Sequence, residues 1–423
     1  MHRIAAVVAG LSLAFVGTSA TIAGTITVCA SGCDFTSINA AIGAAADGDV
    51  IQLQAETYLE GAAIDLDGKS ITLLGATDTD GAPASILDGG DTHRVLRYIS
   101  DGAGTTSLAN LVVRNGASDS SGGGGLYISA GSPVISNCLF TGNQSSGDGG
   151  GARSSNASPT FTDCIFEANG PAREAGGLYH SDGIATITRC AFTNNNTEFN
   201  GGGLYLIGTG SVVEDCTFTD NTAEGGAGMT LFSEATVSGC TFSNNFGDGL
   251  YLGYAGPTVR ACLFVGNIGA DGGGLVTVGA NPAVFEDCTF DGNHAYSQGG
   301  AVRATHTDVY NSFVSNNTAN QGGGFYFSYN GRVGDTFFCL NEGSDISGSW
   351  SDLGGNTYGA SCACPDGPCT IVVPTDYPTI QSAIDASGNG DVIEVLPGTY
   401  YEQLQLFNRI TIRAASSRGD VII

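Results

Sequence analysis

The sequence predicts an all-β chain wound as a right-handed parallel β-helix, and three repeated marks carry that prediction. A frame Cys-x-Phe-x-x-Asn occurs seven times, with its cysteines 26, 26, 26, 24, 22 and 26 residues apart. Glycine pairs or triplets run in step with it, each ahead of an apolar residue: Leu126, Ala152, Leu178, Leu204, Leu275, Ala301 and Phe325. A short β-branched stretch precedes the frame cysteines, as at Val134-Ile135, Thr186-Ile187 and Val212-Val213. A fixed period outranks local propensity. A unit this short cannot bury its own apolar face, so successive units must stack.

Each unit reads as glycine turn, strand, short turn, strand, bend, strand and Asn turn. Nothing in the array keeps a helical period over three turns. In a parallel stack each residue sits about 4.8 Å above its equivalent in the next coil. Cys and Phe, two apart, share one face of a strand. Facing inward, Cys138, Cys164, Cys190, Cys216, Cys240, Cys262 and Cys288 form a column of small hydrophobes. Phe140, Phe166, Phe192, Phe218, Phe242, Phe264 and Phe290 form a ring column, at about 0.5–1.5 kcal/mol per pair beyond burial. Asn143, Asn169, Asn195, Asn221, Asn245, Asn267 and Asn293 fall where the chain turns; an Asn side chain bonds along the column and tolerates left-handed geometry. Glycine relieves the opposite corner. The frame then degrades. Asn311-Ser312-Phe313 takes the place of Cys-x-Phe and ends at Asn316; Asp335-Thr336-Phe337 follows, with Asn341 one place late. About nine coils from Leu126 onward, after about two or three less regular ones, make a rod on the order of 43 Å long.

Two stretches flank the array. Residues 35–60, FTSINAAIGAAADGDVIQLQAETYLE, align without a gap to 377–402, YPTIQSAIDASGNGDVIEVLPGTYYE, at an offset of 342. Ile38, Ala41, Ile42 and Ala45 follow helical spacing, as do Ile380, Ala383 and Ile384. A helix over the first coil would cover an open strand edge. The expected division is therefore a signal peptide at 1–23, a β-helix with its N-terminal cap at 24–338, a Cys-rich closing segment at 339–370, and the cap and first coil of a second, truncated β-helix at 371–423. A fold-back of 371–423 onto the first solenoid is the alternative. The leader is read from the basic His2 and Arg3, an apolar run over 4–16, and the small Thr18, Ala20 and Ala23. That run is shorter than the roughly 20 residues of a spanning helix. A secreted or cell-surface protein without a transmembrane segment is expected.

The chain carries a formal charge of −27, with 41 acidic and 14 basic residues and one lysine, Lys69. Such a charge repels nucleic acid and anionic surfaces. Acids recur before the glycine turns: Asp148, Glu174, Glu224, Asp248 and Asp271, with Asn200 in the same column. A solvated loop face is the ordinary reading; a Ca²⁺ face is the functional one, because a hard cation taking six to eight oxygens would relieve their repulsion. Asp163, Arg189 and Asp215, each just before a frame cysteine, read as a surface salt-bridge ladder. Cys29 with Cys33, and Cys339 with Cys362, Cys364 and Cys369, are even sets suited to disulfides in an exported protein. A zinc site from the last four is the alternative, on poor spacing.

GGGLY with FTGN, FEAN, FTNN and FTDN resembles the repeats of polymorphic outer-membrane proteins and related bacterial surface β-helices. The flanking stretch resembles the start of pectin-lyase-like solenoids, and DISGSWSDLGGNTYG with its following cysteines is similar to the end of arrays in secreted planctomycete-type proteins. The resemblance implies adhesion or a structural role. The Gly-His-Gly and Arg-Ile-Lys strings of polygalacturonase-like enzymes do not occur. Arg153, Arg173, Arg189, Arg260, Arg303 and Arg332 are not expected to share one register, and His93, His180, His294 and His306 read as surface or turn residues. The expected function is a non-catalytic surface β-helix that is adhesive, structural or glycan-binding, with no certain cofactor, no nucleic acid partner and polysaccharide or cell-surface components as partners. The alternative is a polysaccharide lyase, hydrolase or epimerase.

Overall fold

The computed structural model describes residues 23–66, 68–99, 105–254, 256–279, 282–359, 370–375, 377–387, 392–406, 410–415 and 421–422. Almost all of the expected leader, and Cys362, Cys364 and Cys369, lie outside them. The chain forms a parallel β-solenoid of about 14 turns. Three strand columns build each regular coil. The first follows the glycine turn, as in Leu126–Ser129, Ala152–Ser155, Leu178–Ser181 and Leu204–Ile207. The second holds the β-branched stretches, as in Val134–Ser136, Thr160–Thr162 and Thr186–Thr188. The third carries the frame phenylalanine, as in Leu139–Thr141, Ile165–Glu167 and Ala191–Thr193. Each strand pairs in parallel and in register with its equivalent in the next coil. Late in the array the strand Phe325–Gly334 runs through the first two columns without a break.

Alternation along these short strands sends every second side chain inward. Leu126, Ile135, Phe140 and their equivalents are 0 % exposed. The seven frame phenylalanines stack face to face, with ring centres 4.7–4.9 Å apart and planes within 8°. The frame thiols are free and buried. Each also acts as a weak donor: Cys164 Sγ reaches the Ile135 carbonyl one coil back at 3.6 Å, and Cys216 Sγ that of Ile187 at 3.5 Å. Burial pushes the Cys164 thiol far up.

The asparagines form a continuous amide ladder. Asn169 Nδ2 donates to Asn195 Oδ1 at 3.0 Å and to the Phe140 carbonyl at 2.9 Å, while Asn169 Oδ1 accepts from the backbone and side-chain nitrogens of Asn143. The pattern continues to Asn341. Two details differ from expectation. Left-handed backbone falls on the residue before each ladder asparagine, as at Gly142, Ala168, Asn194 and Asp220, and again on the residue before each frame cysteine, as at Asn137, Asp163, Arg189 and Asp215. The late coils also keep register. Thr289 faces Phe313 and Phe290 faces Val314, so the frame there is Ser312-Phe313-Val314 and the ladder residue is Asn317, not Asn316. Phe338 holds the frame position of the next coil, and Asn341 is in place. Glycine at the other corner is sterically required: a Cβ on Gly177 would lie 2.4 Å from the Gly203 carbonyl oxygen.

The helix Ile38–Ala44 is N-capped by Ser37, whose side chain accepts from Ala40 N, and it buries Ile38, Ala41 and Ile42 in the main core. Its counterpart Ile380–Ala386 carries a capping box of Thr379 and Ser382. It packs beside a three-stranded parallel sheet of Thr370–Val373, Val392–Val395 and Thr411–Ala414. This small core is shared with the flank of the solenoid: Phe313, Phe337 and Cys339 belong to it with Tyr377 and Ile380, and Thr289 Oγ1 donates to the Thr375 carbonyl at 3.1 Å. Among the described residues no helix is long and apolar enough to cross a membrane.

Candidate functional site

The second residue of each first-column strand points outward, and the in-register pairing stacks these residues into one stripe. Arg97, Tyr127, Arg153, Tyr179 and Tyr205 follow one another on successive coils. Thr230, Tyr251, Val276, Arg303 and Tyr326 continue the series, with Thr230 and Val276 covered by their neighbours. Arg153 and Arg303 therefore do share a register, contrary to expectation.

The stripe is held by its own side chains. The Arg94 guanidinium lies 4.7 Å from the Tyr127 ring centre, and Arg153 lies 5.8 Å from Tyr127 and 5.6 Å from Tyr179. Tyr179 and Tyr205 stack at 5.1 Å, and Phe232 bridges Tyr205 to Tyr251 at 5.6 and 5.9 Å. Ring faces are thus spent on neighbours along the axis, which leaves edges to face solvent. Burial raises the Tyr179, Tyr205 and Tyr251 hydroxyls, with nearby acids adding to it, so all three are neutral donors at ordinary pH. Nε of Arg153 is buried and hydrogen-bonds to nothing among the described residues, while the buried Nε of Arg303 is 3.8 Å from Asp271 Oδ2. Buried donors of this kind call for an acceptor.

The acid column runs along the corner beside the stripe. Asp148 is held by Arg173 at 2.9 Å. Glu174 accepts from the Asn200 backbone nitrogen at 2.8 Å; burial, aided by Asp148, raises its carboxyl. Asp248 is 6 % exposed. Burial first and then Asp271 push it well above the usual carboxylate range. Asp271 lies 3.8 Å from Arg303, and its Oδ1 is unpartnered. Glu224 is exposed. Among the described residues no three His, Cys, Asp or Glu side chains come together as a metal site. The column does not converge because its members sit on successive coils and turn to different partners: Asp148 to Arg173, Glu174 to the Asn200 backbone and Asp271 to Arg303.

A family profile described as the right handed beta helix region matches residues 30–223 and 202–357. The chain belongs to the right-handed β-helix family. No curated protein matches it. Among solved structures it is similar to ORF18 of Geobacillus virus E2, at 11 % identity and a TM-score of 0.31, covering 76 % of this chain and 57 % of that one. It is also similar to a mannuronic acid specific family 6 polysaccharide lyase from human gut microbiota, at 12 % identity and a TM-score of 0.38, covering 93 % and 91 %. PfbA, a surface adhesin of Streptococcus pneumoniae, is similar at 10 % identity and a TM-score of 0.31, covering 76 % and 84 %. This β-helix thus spans little more than half of the viral chain, and likenesses this distant speak to the fold alone.

Within this β-helix the remaining candidate residues are structural in placement. Cys29 and Cys33 are joined by a disulfide, and Cys339 is also disulfide-bonded. Arg189 binds Asp163 at 2.8 Å on the surface. His180 is buried in the core with Nε2 3.2 Å from the Gly183 carbonyl, and burial lowers its pKa. His294 contacts Thr318, and His306 stacks on Tyr329. Sequence reasoning missed the stripe. Its signal was the residue just after each glycine-apolar mark, tyrosine at 127, 179, 205, 251 and 326.

Proposed function

We propose that this protein is an exported, surface-associated β-helix that binds an extended polysaccharide along the tyrosine–arginine stripe without cleaving it. The observation that carries the reading is the stripe itself: tyrosine and arginine side chains on successive coils that brace one another along one face of the solenoid. Bracing in the free protein lowers the ordering cost of binding. Repetition along the axis suits a repeating polymer, and hydroxyls with guanidinium donors suit its many oxygens. Residues 1–23 serve as the export signal in this reading. The helices at 38–44 and 380–386 serve as caps, the second opening a further solenoid within 371–423, after a closing segment at 339–370.

The test is a glycan array joined to a reducing-end release assay on the mature chain, with and without Ca²⁺. Binding without release is expected, and Tyr179→Ala with Tyr205→Ala should weaken it about tenfold or more. Release of sugar ends would overturn the non-catalytic part.

One observation favours the enzymatic alternative. Asp248 and Asp271 stand near each other beside Arg303 at the edge of the stripe, and burial followed by the Asp271 charge pushes the Asp248 carboxyl up. A pair of carboxyls in unlike environments is the general requirement for acid-assisted glycosidic cleavage. In that case Asp248→Asn abolishes release and spares binding.

A further inference from the structure

Beyond the acid column, the loops between the asparagine ladder and the glycine turns form an open groove of about 380 Å³. It runs along the axis, from the coil of Glu198 to the coil of Tyr296. Thr222, Phe246 and Ile268 stand at one register on successive coils along it. The floor is made of small residues, Ala223, Gly247 and Gly269 among them. Two aromatic rings rise from it largely bare, Phe246 at 59 % and Tyr296 at 61 % exposure. Tyr296 is braced rather than loose: the His294 ring meets it edge-on at 5.1 Å, and His294 Nδ1 is 2.6 Å from Thr318 Oγ1. Phe246, unlike the stripe tyrosines, makes no ring contact among the described residues, so a face is open to a ligand.

The charge of this groove is one-sided. Glu198 and Glu224 line it from neighbouring coils, both exposed, and no arginine or lysine does. Bare aromatic faces beside two carboxylates make a poor site for an anion and a good one for a cation with an apolar body, which the ring faces and the negative charge attract together. The net charge of −27 adds to that preference at long range.

We infer that this groove binds amino-sugar units bearing a free amine, so that the polymer recognised is an incompletely acetylated aminoglycan. The C–H face of the sugar ring lies on Phe246, and the ammonium sits between Glu198 and Glu224. An N-acetyl group removes the charge and leaves the carboxylates unpaired, which is the basis of discrimination. The inference rests on the polysaccharide-binding reading and adds the chemical class of the polymer.

Calorimetry on the full chain with a glucosamine hexamer, its fully N-acetylated counterpart and a neutral glucose hexamer tests it. The free-amine hexamer is expected to bind about tenfold tighter than either of the others. The preference should weaken with added salt and vanish at alkaline pH where the amine loses its proton. Phe246→Ala should cut binding of the amine form about tenfold, and Glu198→Gln with Glu224→Gln should level the three affinities. All three positions are exposed, and circular dichroism checks that the variants fold. Equal affinities in the unmodified protein, or an amine preference that survives the double Gln variant, overturns the inference while leaving glycan binding by the stripe intact. Absence of binding to any glycan on the array removes both.

Discussion

The inside and the outside of this solenoid obey different rules. The inward residue of the third strand column and the turn after it repeat the same side chain coil after coil: phenylalanine on phenylalanine, asparagine on asparagine. The outward stripe, on the first strand column, changes from arginine to tyrosine, threonine and valine at an unbroken register. The ring and amide columns repeat because each rung is the packing surface of the next. The exterior is free to vary because the backbone ladder has already fixed its spacing. Architecture and recognition are thus weighted to different columns of the same coil.

Substitutions within single coils test that division. The largest loss should follow Phe218→Ala, which opens the ring column at a site 0 % exposed and should cost about 3–5 kcal/mol in a urea melt. Asn221→Ala should come next, near 2–4 kcal/mol, since the Phe192 carbonyl and the Asn195 amide lose partners in a dry interior. A loss well below 1 kcal/mol at either site would undo the view that the inside is the scaffold. Asp248→Asn should act in the opposite direction. The raised native pKa means that the folded state holds a proton that the unfolded state gives up above about pH 3.9, so the wild-type protein loses stability as pH rises through that range. The variant should therefore melt higher than wild type at pH 7 and alongside it at pH 3. Tyr205→Ala should cost less than about 1.5 kcal/mol in stability and show its main effect in glycan binding. Arg189→Ala should be nearly silent, within about 1 kcal/mol, because its bond to Asp163 is solvent-exposed and screened.

What could be read beforehand follows the same division. The Cys, Phe and Asn columns were legible because stacking forces identity at a fixed period. Register failed where identity lapsed: at Phe313 a frame-like ring sits outside, stacked on Phe337 at 5.4 Å, while Val314 takes the inner place. The left-handed duty of this position was hidden where Arg189 and Ala261 fill it, although Asn137, Asp163, Asp215 and Gly239 on other coils are types that favour such backbone. The stripe carries only a broken tyrosine period, at 127, 179, 205, 251 and 326, and the geometry of the pairing is needed to line Arg153 up with Arg303. The contact of Tyr377 with Phe313 crosses elements far apart in the chain, and no local pattern announces it.

The in-register amide ladder makes reach an adjustable quantity. Each asparagine presents the same donor and acceptor to the winding before and the winding after, so any two windings can meet. Excising residues 165–190 would join Cys164 to Ala191 and bring like against like. Duplicating that stretch would add a storey and leave the ends as they were. A molecule of this design can be lengthened or shortened in steps of one winding to match the span it must bridge, without reinventing its interior.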